Sequence, residues 1–206
     1  MKILKRDFVL LLLKIMTKLC KLAYKYGTDK CPQISHPYTP FYYELFKDKR
    51  NSIKKVIEVG IGSRSTMHYH QTHYVTGASL YMWRDFFPNA QIYGVDILPE
   101  TMLESERIET FLYDQTKKED LEKLIEKTGS DIDIFVDDGL HSMTTQVNLC
   151  EAIMPMLKKD VIYIIEDVMW PNRIIRVLTQ YDCFSPVFHG AQRKENVIII
   201  KNKEID

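Results

Sequence analysis

The 206-residue sequence predicts an α/β fold, a mostly parallel sheet with helices on both faces that ends in an antiparallel pair. Three observations point to it. Residues 132–136 and 161–165 are β-branched and apolar on both sides of the pleat, as strands covered on both faces must be. Between such runs lie segments of helical period and ordinary length. Finally, two of the runs stop abruptly in acid, at Val136-Asp137-Asp138-Gly139-Leu140-His141 and at Tyr163-Ile164-Ile165-Glu166-Asp167-Val168.

In chain order, an amphipathic helix is expected first, with Phe8, Leu12, Ile15, Leu19 and Leu22 on one stripe and Lys14, Lys18, Lys21 and Lys25 on another. Its apolar run at residues 8–13 is interrupted by Lys14, lacks a small-residue cleavage site and is far short of the ~20 residues that span a bilayer. Packing on the core is therefore expected, and membrane association is not. Tyr26-Gly27-Thr28-Asp29-Lys30 follows, then an extended connection through Pro32, Pro37 and Pro40, because a residue before proline is pushed out of helical space.

A helix over residues 41–49 leads to a strand over residues 54–59 and the turn Gly60-Ile61-Gly62. Residues 63–77 form a polar loop carrying His68, His70 and His73, expected to meet substrate or solvent. The pattern continues with a helix over 78–87, strands over 91–97 and 108–113, and a charged helix over 119–128 closed by Gly129. The two acid-tipped strands are separated by a helix over 144–157. A helix over 173–180 and strands near 183–189 and 196–201 complete the chain. Residues 1–50 read as a helical arm and covering segment, residues 51–206 as the core, together one structural domain.

Charge is balanced overall but unevenly placed. Residues 1–55 hold 13 Lys/Arg against 4 Asp/Glu, and residues 56–206 hold 15 against 24, so a basic arm is expected to dock on an acidic body. No basic surface interleaved with aromatics is present, and a nucleic-acid substrate is not expected. Cys20, Cys31, Cys150 and Cys183 form no C-x-x-C pair, which argues against a zinc knuckle or a disulfide framework and for a reducing, cytoplasmic setting.

If the two acid-tipped strands are neighbours, their carboxyl ends lie roughly 5 Å apart. Asp138, Glu166 and Asp167 would then converge, with His141 a turn away. Carboxylates that close repel unless a cation lies among them, so a divalent metal is expected there. Hard oxygen ligands favour magnesium, with manganese or calcium as substitutes. Adjacent strand residues point to opposite faces, so the strand must end or curl at Glu166 if Glu166 and Asp167 are to share an ion. Asp137 is expected to support the site or face a bound donor.

Ligands of open parallel sheets bind beyond the carboxyl ends of the strands. Glu58, Gly60 and Gly62 mark such a place, Asp96 is placed to hold two ribose hydroxyls, and Asp114 falls near where an adenine amino group would lie. Ser63-Arg64-Ser65 breaks the dinucleotide fingerprint, and no helix is expected to open there.

This spacing resembles the class I S-adenosylmethionine-dependent methyltransferases, with a Rossmann-like seven-stranded sheet. With Tyr26-Gly27-Thr28-Asp29-Lys30, Tyr38-Thr39-Pro40, Tyr93-Gly94-Val95-Asp96-Ile97, Asp114-Gln115, Asp137-Asp138-Gly139-Leu140-His141 and Ile165-Glu166-Asp167 in this order, the chain is similar to the metal-dependent macrolide-sugar O-methyltransferases over residues 26–170. The resemblance implies Asp138, Glu166 and Asp167 as magnesium ligands and His141 as general base. Glu58, Gly60, Gly62, Asp96, Asp114, Gln115 and Asp137 are expected at the donor, and Tyr26, Thr28, Asp29, Lys30 and Tyr38 at the acceptor. The polar loop 63–77 departs from the family's glycine-rich segment, and no large auxiliary domain is expected.

The expected activity is methylation of a sugar hydroxyl in a glycoside, nucleotide sugar or polysaccharide precursor, by a chain able to form a homo-oligomer. A catechol-type methyltransferase, an iron-dependent hydroxylase of related fold and a silent donor-binding subunit are the alternatives.

Overall fold

The computed structural model describes residues 16–67, 74–188 and 196–204. Helix α1 runs Lys18–Tyr26. Thr17 is extended and its side chain accepts from the Cys20 N–H, while Gly27, at φ 81°, donates to the Ala23 carbonyl. These caps satisfy backbone groups that a helix end leaves open. The expected stripe is therefore interrupted at Thr17, and Phe8, Leu12 and Ile15 lie outside the described residues. Leu19, Cys20 and Ala23 form the buried face.

Helix α2, Tyr38–Phe46, begins earlier than the prolines suggested. Pro37 is its N-cap and Pro40 falls in the first turn, where a missing N–H costs nothing. The connection expected to be extended is instead a series of turns, with the Cys31 carbonyl accepting from the Ile34 and Ser35 N–H groups and the Asp29 carbonyl from the His36 N–H, before the helix opens after Pro37.

The core strands are β1 (Lys55–Val59), β2 (Gln91–Asp96), β3 (Ile108–Leu112), β4 (Ile134–Asp137), β5 (Ile162–Ile165), β6 (Tyr181–Phe184) and β7 (Ile198–Asn202). They form one seven-stranded sheet in the order β3-β2-β1-β4-β5-β7-β6. The first five are parallel, and β7 lies antiparallel between β5 and β6. The seven strands and the antiparallel ending are as expected. The intervening helices are α3 (Arg64–Met67), α4 (Ala78–Phe86), α5 (Lys118–Thr128), α6 (Met143–Ile153) and α7 (Pro171–Val177). One turn of helix, α3, does open after Gly62, against expectation. The Ser63 carbonyl accepts from the Met67 N–H and its hydroxyl from the Thr66 N–H, which is enough to start a turn.

The pleat sorts side chains into two cores. Val56, Ile92, Ile134, Val136, Ile162 and Ile164 pack with Leu19, Tyr42, Phe46, Trp83 and Phe86 of α1, α2 and α4. Ile57, Val59, Phe135, Tyr163 and Ile165 pack with Leu121, Leu124, Leu149, Cys150, Ile153 and Ile174 of α5, α6 and α7. Trp83 is the largest fully buried side chain and stacks on Phe87, with ring centroids 5.7 Å apart. The four cysteines are free thiols. Among the described residues no helix is long and apolar enough to cross a membrane.

Candidate active site

The period of the pleat decides which acids meet. Glu58 shares its face with Val56, Asp138 continues the face of Val136, and Glu166 that of Ile164, so all three look toward α1, α2 and α4. Asp137 continues the Phe135 face and turns to the opposite side, toward Tyr163. Register completes the placement. Val59 lies beside Asp137 and Asp137 beside Ile165, and beyond these pairs the Asp138 N–H donates to the Val59 carbonyl and the Glu166 N–H to the Asp137 carbonyl.

Strand β5 ends at Ile165, and Asp167 takes a left-handed conformation, φ 51°. This is the curl required for two adjacent acids to act at one place. Few side chains other than Asn and Asp accept that region, so it marks a conformation imposed by the surroundings. Two contacts hold it: Gln146 Nε2 donates to the Glu166 carbonyl at 3.0 Å, and the Val168 N–H to the Asn196 carbonyl at 3.0 Å.

Asp138, His141 and Asp167 each bring a ligand atom into a group whose atoms lie within 4.8 Å of one another. His141 Nε2 is 3.1 Å from Asp138 Oδ1, and its Nδ1 is 3.6 Å from Asp167 Oδ2. Glu166 is placed differently. It is buried, accepting from Tyr42 Oη at 2.8 Å on one oxygen and from Lys30 Nζ at 2.6 Å on the other. The geometry, two carboxylates and an imidazole at a partly open mouth, suits a hard divalent cation at Asp138 and Asp167.

These groups open onto a cavity of about 400 Å³ lined by Gly60, Gly62, Asp96, Asp114, Gln115, Thr28, Asp29 and Lys30, among others. Asp96 Oδ2 accepts from the Ile61 N–H at 2.9 Å and Gly62 N–H at 3.3 Å, tying the glycine turn to the end of β2. Asp114 accepts from the Thr116 N–H and hydroxyl. Gln115 accepts from the Leu140 N–H at 2.9 Å and so holds the loop carrying His141.

Several residues expected at the donor or acceptor are instead behind the wall. Glu58 is fully buried and accepts from Trp83 Nε1 at 2.6 Å. Asp137 is buried on the far side of the sheet from Glu58. Tyr26 donates to Asp85 and stacks on Tyr81, which fixes α1 to α4. Tyr38 is buried and donates to Asp167 Oδ1, steadying that carboxylate. His68, His70, His73 and His189 lie outside the described residues.

His36, Tyr42, Tyr74 and Gln146 stand at the site without having been expected there. His36 lies between two acids, 3.4 Å from Asp29 and 3.7 Å from Asp167. Tyr74 donates to the Gly62 carbonyl at 2.9 Å and covers the turn. The repeat Tyr38 to Tyr42, one helical turn apart, was the available signal for a polar edge on α2.

Electrostatics follows from these contacts. Burial works against the Lys30 ammonium, but Asp138, Glu166 and Glu58 outweigh it and raise its pKa well above the lysine range. Burial works against the Asp138 carboxylate too, yet Lys30 and His141 bring it down to about 2. Burial, opposed by the Gly139 N–H, pushes Asp137 up to about 7. Burial also disfavours charged His141, but its hydrogen bond to Asp138 and the charges of Asp138 and Asp167 raise it to about 9.

A raised histidine pKa stabilises the fold fully below the unfolded value of ~6.5 and loses that contribution as pH climbs through 9. Chelator-treated protein is therefore expected to lose melting temperature between pH 6.5 and 9, with a shallower loss in His141→Gln. Parallel melting curves for the two proteins would exclude His141 as a contributor. The side chain is 41% exposed, so the difference is modest.

A seven-stranded sheet in this order, with a glycine turn after β1 and an acid ending β2, is the fold of the class I S-adenosylmethionine-dependent methyltransferases, and the chain belongs to that class. Its relatives within the class are macrolide- and sugar-O-methyltransferases. It is 35% identical over 157 residues to the mycinamicin VI 2''-O-methyltransferase of Micromonospora griseorubida, covering 75% of this chain and 37% of that enzyme. It is 34% identical over 155 residues to the demethylmacrocin O-methyltransferase of Streptomyces fradiae, covering 74% and 37%. Among solved structures it matches the MycE methyltransferase from the mycinamycin biosynthetic pathway in complex with Mg, SAH and mycinamycin VI. That match has a TM-score of 0.71 and 27% identity, over 91% of this chain and 55% of that one. The chain thus spans well under half the length of the curated relatives it matches. No protein-family model matches it.

Proposed function

We propose that the chain transfers the methyl group of S-adenosylmethionine to a sugar hydroxyl of a glycoside, with magnesium bound at Asp138 and Asp167. The observation that carries this reading is the convergence of Asp138, His141 and Asp167 at the mouth of a cavity whose inner wall is the Gly60 to Gly62 turn and Asp96. Relatives named as O-methyltransferases of mycinamicin VI, demethylmacrocin and rhamnosyl tetracenomycin-C, and a structural neighbour in complex with Mg and SAH, support the same chemistry.

Each residue has a task set by its place. The glycine turn lets backbone approach the donor with no side chain between, and Asp96 offers acceptors to a ribose diol. Asp138 and Asp167 supply the hard oxygen ligands. A bound magnesium ion lowers the pKa of a hydroxyl it holds. The acceptor oxygen forms its bond to the methyl carbon as the carbon–sulfur bond breaks, S-adenosylhomocysteine leaves, and the hydroxyl proton passes to His141. Alignment of the oxygen behind the methyl group accounts for much of the acceleration. With the charges of Asp138 and Asp167 taken up by a cation, His141 loses the partners that keep it protonated and becomes free to act as base.

The test is incubation with methyl-labelled donor and a panel of glycosides and nucleotide sugars, with and without a chelator. Label is expected on a sugar oxygen, lost with chelator and restored by magnesium. Transfer indifferent to chelator would remove the metal, and label only on catechols would replace the sugar.

A further inference from the structure

Gln115 lies between β3 and α5, in the segment Tyr113-Asp114-Gln115-Thr116, and all four residues line the cavity. In the sheet β3 is three places from β4, roughly 14 Å at the usual strand spacing, yet the Gln115 side chain reaches the loop that follows β4. Its Oε1 accepts from the Leu140 N–H at 2.9 Å, and its Nε2 makes a long hydrogen bond, 3.5 Å, to Oδ1 of the buried Asp137. The same Asp137 oxygen accepts from the Gly139 N–H at 3.4 Å.

The other side of Leu140 is held as well. Its carbonyl accepts from Thr145 Oγ1 at 2.7 Å and from the Ser142 N–H at 2.7 Å, and Ser142 caps α6. The residue before His141 is therefore fixed at both its amide and its carbonyl. None of these contacts runs through Asp138 or Asp167, so a cation that takes up those carboxylates leaves them in place. The loop is also tightly packed. A Cβ on Gly139 would lie 2.0 Å from Gln115 Oε1 and 2.9 Å from its Cδ, with Val59 Cγ1 at 3.1 Å. The Gln115 amide, at the end of a flexible side chain, is the movable member of that contact, and a methyl group at position 139 would evict it.

We infer that Gln115 is a positioning residue for the reaction: from the donor side of the cavity it clamps the peptide that carries His141, and so fixes where the imidazole meets the acceptor hydroxyl. This rests on the methyl-transfer reading above, in which His141 takes the proton. It gives Gln115 a task other than the donor contact that the sequence led us to expect. Placement matters at this scale, because an error of about 1 Å in a reacting group can cost about a hundredfold in rate.

The experiment uses the full chain saturated with magnesium and three measurements: kcat with the glycoside labelled in the panel above, S-adenosylhomocysteine affinity by calorimetry, and amide hydrogen exchange at Leu140 by nuclear magnetic resonance. Gln115→Ala is expected to lower kcat about 10- to 100-fold while S-adenosylhomocysteine affinity stays within about threefold of wild type. The Leu140 amide is expected to exchange at least about fivefold faster, with the amides of β4 unchanged. Gly139→Ala is expected to give the same pattern. The double variant is expected to fall within about twofold of Gln115→Ala, because both changes remove one and the same contact.

Donor affinity falling in step with kcat would overturn the inference and make Gln115 a donor contact. Unchanged kcat, unchanged exchange at Leu140 or multiplied effects in the double variant would overturn it too. If Gln115→Ala does not fold, Gly139→Ala decides by itself. A wild type that labels nothing in the panel would instead refute the methyl-transfer reading, and exchange at Leu140 would then decide alone whether the clamp exists.

Discussion

His141→Ala is expected to lower kcat by about 10²- to 10⁴-fold while affinity for S-adenosylhomocysteine stays within a few-fold of wild type. The first half follows from geometry. Among the described residues, His141 is the imidazole at the cavity mouth, 3.1 and 3.6 Å from the two metal-side carboxylates, and a cation that takes up their charge frees it to accept a proton. Without it the hydroxyl proton has no acceptor except water or an already engaged carboxylate. The second half follows from distance along the cavity, because the glycine turn, Asp96 and Asp114 do not depend on the imidazole. The loop itself survives the change, since Gln115 still accepts from the Leu140 N–H and Thr145 Oγ1 still donates to the Leu140 carbonyl. Steady-state kinetics paired with calorimetry checks both parts. Undiminished kcat would take His141 out of the mechanism, and donor affinity falling in step with kcat would make it a wall of the donor pocket.

The largest stability effect is expected at Gly60. Its φ is +90°, and a Cβ there would lie 2.1 Å from the Asp138 carbonyl oxygen, 2.6 Å from its carbon and 2.9 Å from Gly139 Cα. All three are backbone atoms, so no rotamer relieves the overlap. Retreat is blocked as well, because the Gly60 N–H donates to the Val95 carbonyl at 2.8 Å and the Asp138 N–H to the Val59 carbonyl at 2.9 Å. Gly60→Ala is therefore expected to cost about 3–5 kcal/mol, combining the penalty for a left-handed backbone with displacement of a packed segment. For a chain of this size that corresponds to a fall in Tm of about 10 °C or more. A variant within about 1 kcal/mol of wild type would mean that the turn after β1 and the Asp138 loop can separate freely.

The elements of the sheet were legible because both signals were local. Two-sided apolar runs identify central strands, and acid at their ends marks the functional edge. The departures are equally physical. Pro37 and Pro40 argued for an extended segment, yet proline is tolerated in the first helical turn, so α2 begins at Tyr38. Ser63 started a turn of helix that the glycine pattern alone did not announce. Within the site, Asp138, His141 and Asp167 could be grouped from strand ends, whereas the partners of Glu166 could not. Lys30 and Tyr42 lie more than a hundred residues away in sequence, on a segment whose docking no local pattern encodes. The same holds for Tyr26, which sequence order placed near substrate and which packing directs to Asp85.

The position of β7 bears on how the molecule is made. Ile198–Asn202 enters between β5 and β6 and pairs with both, although it is translated after either. Until that stretch leaves the ribosome, the Tyr163 edge is bare and β6 has nothing to join, so the nascent polypeptide exposes a sticky apolar ribbon beside its finished acidic end. Release of a chain truncated just short of residue 198 would leave that edge bare for good, and such a product is expected to aggregate more readily than one that carries β7.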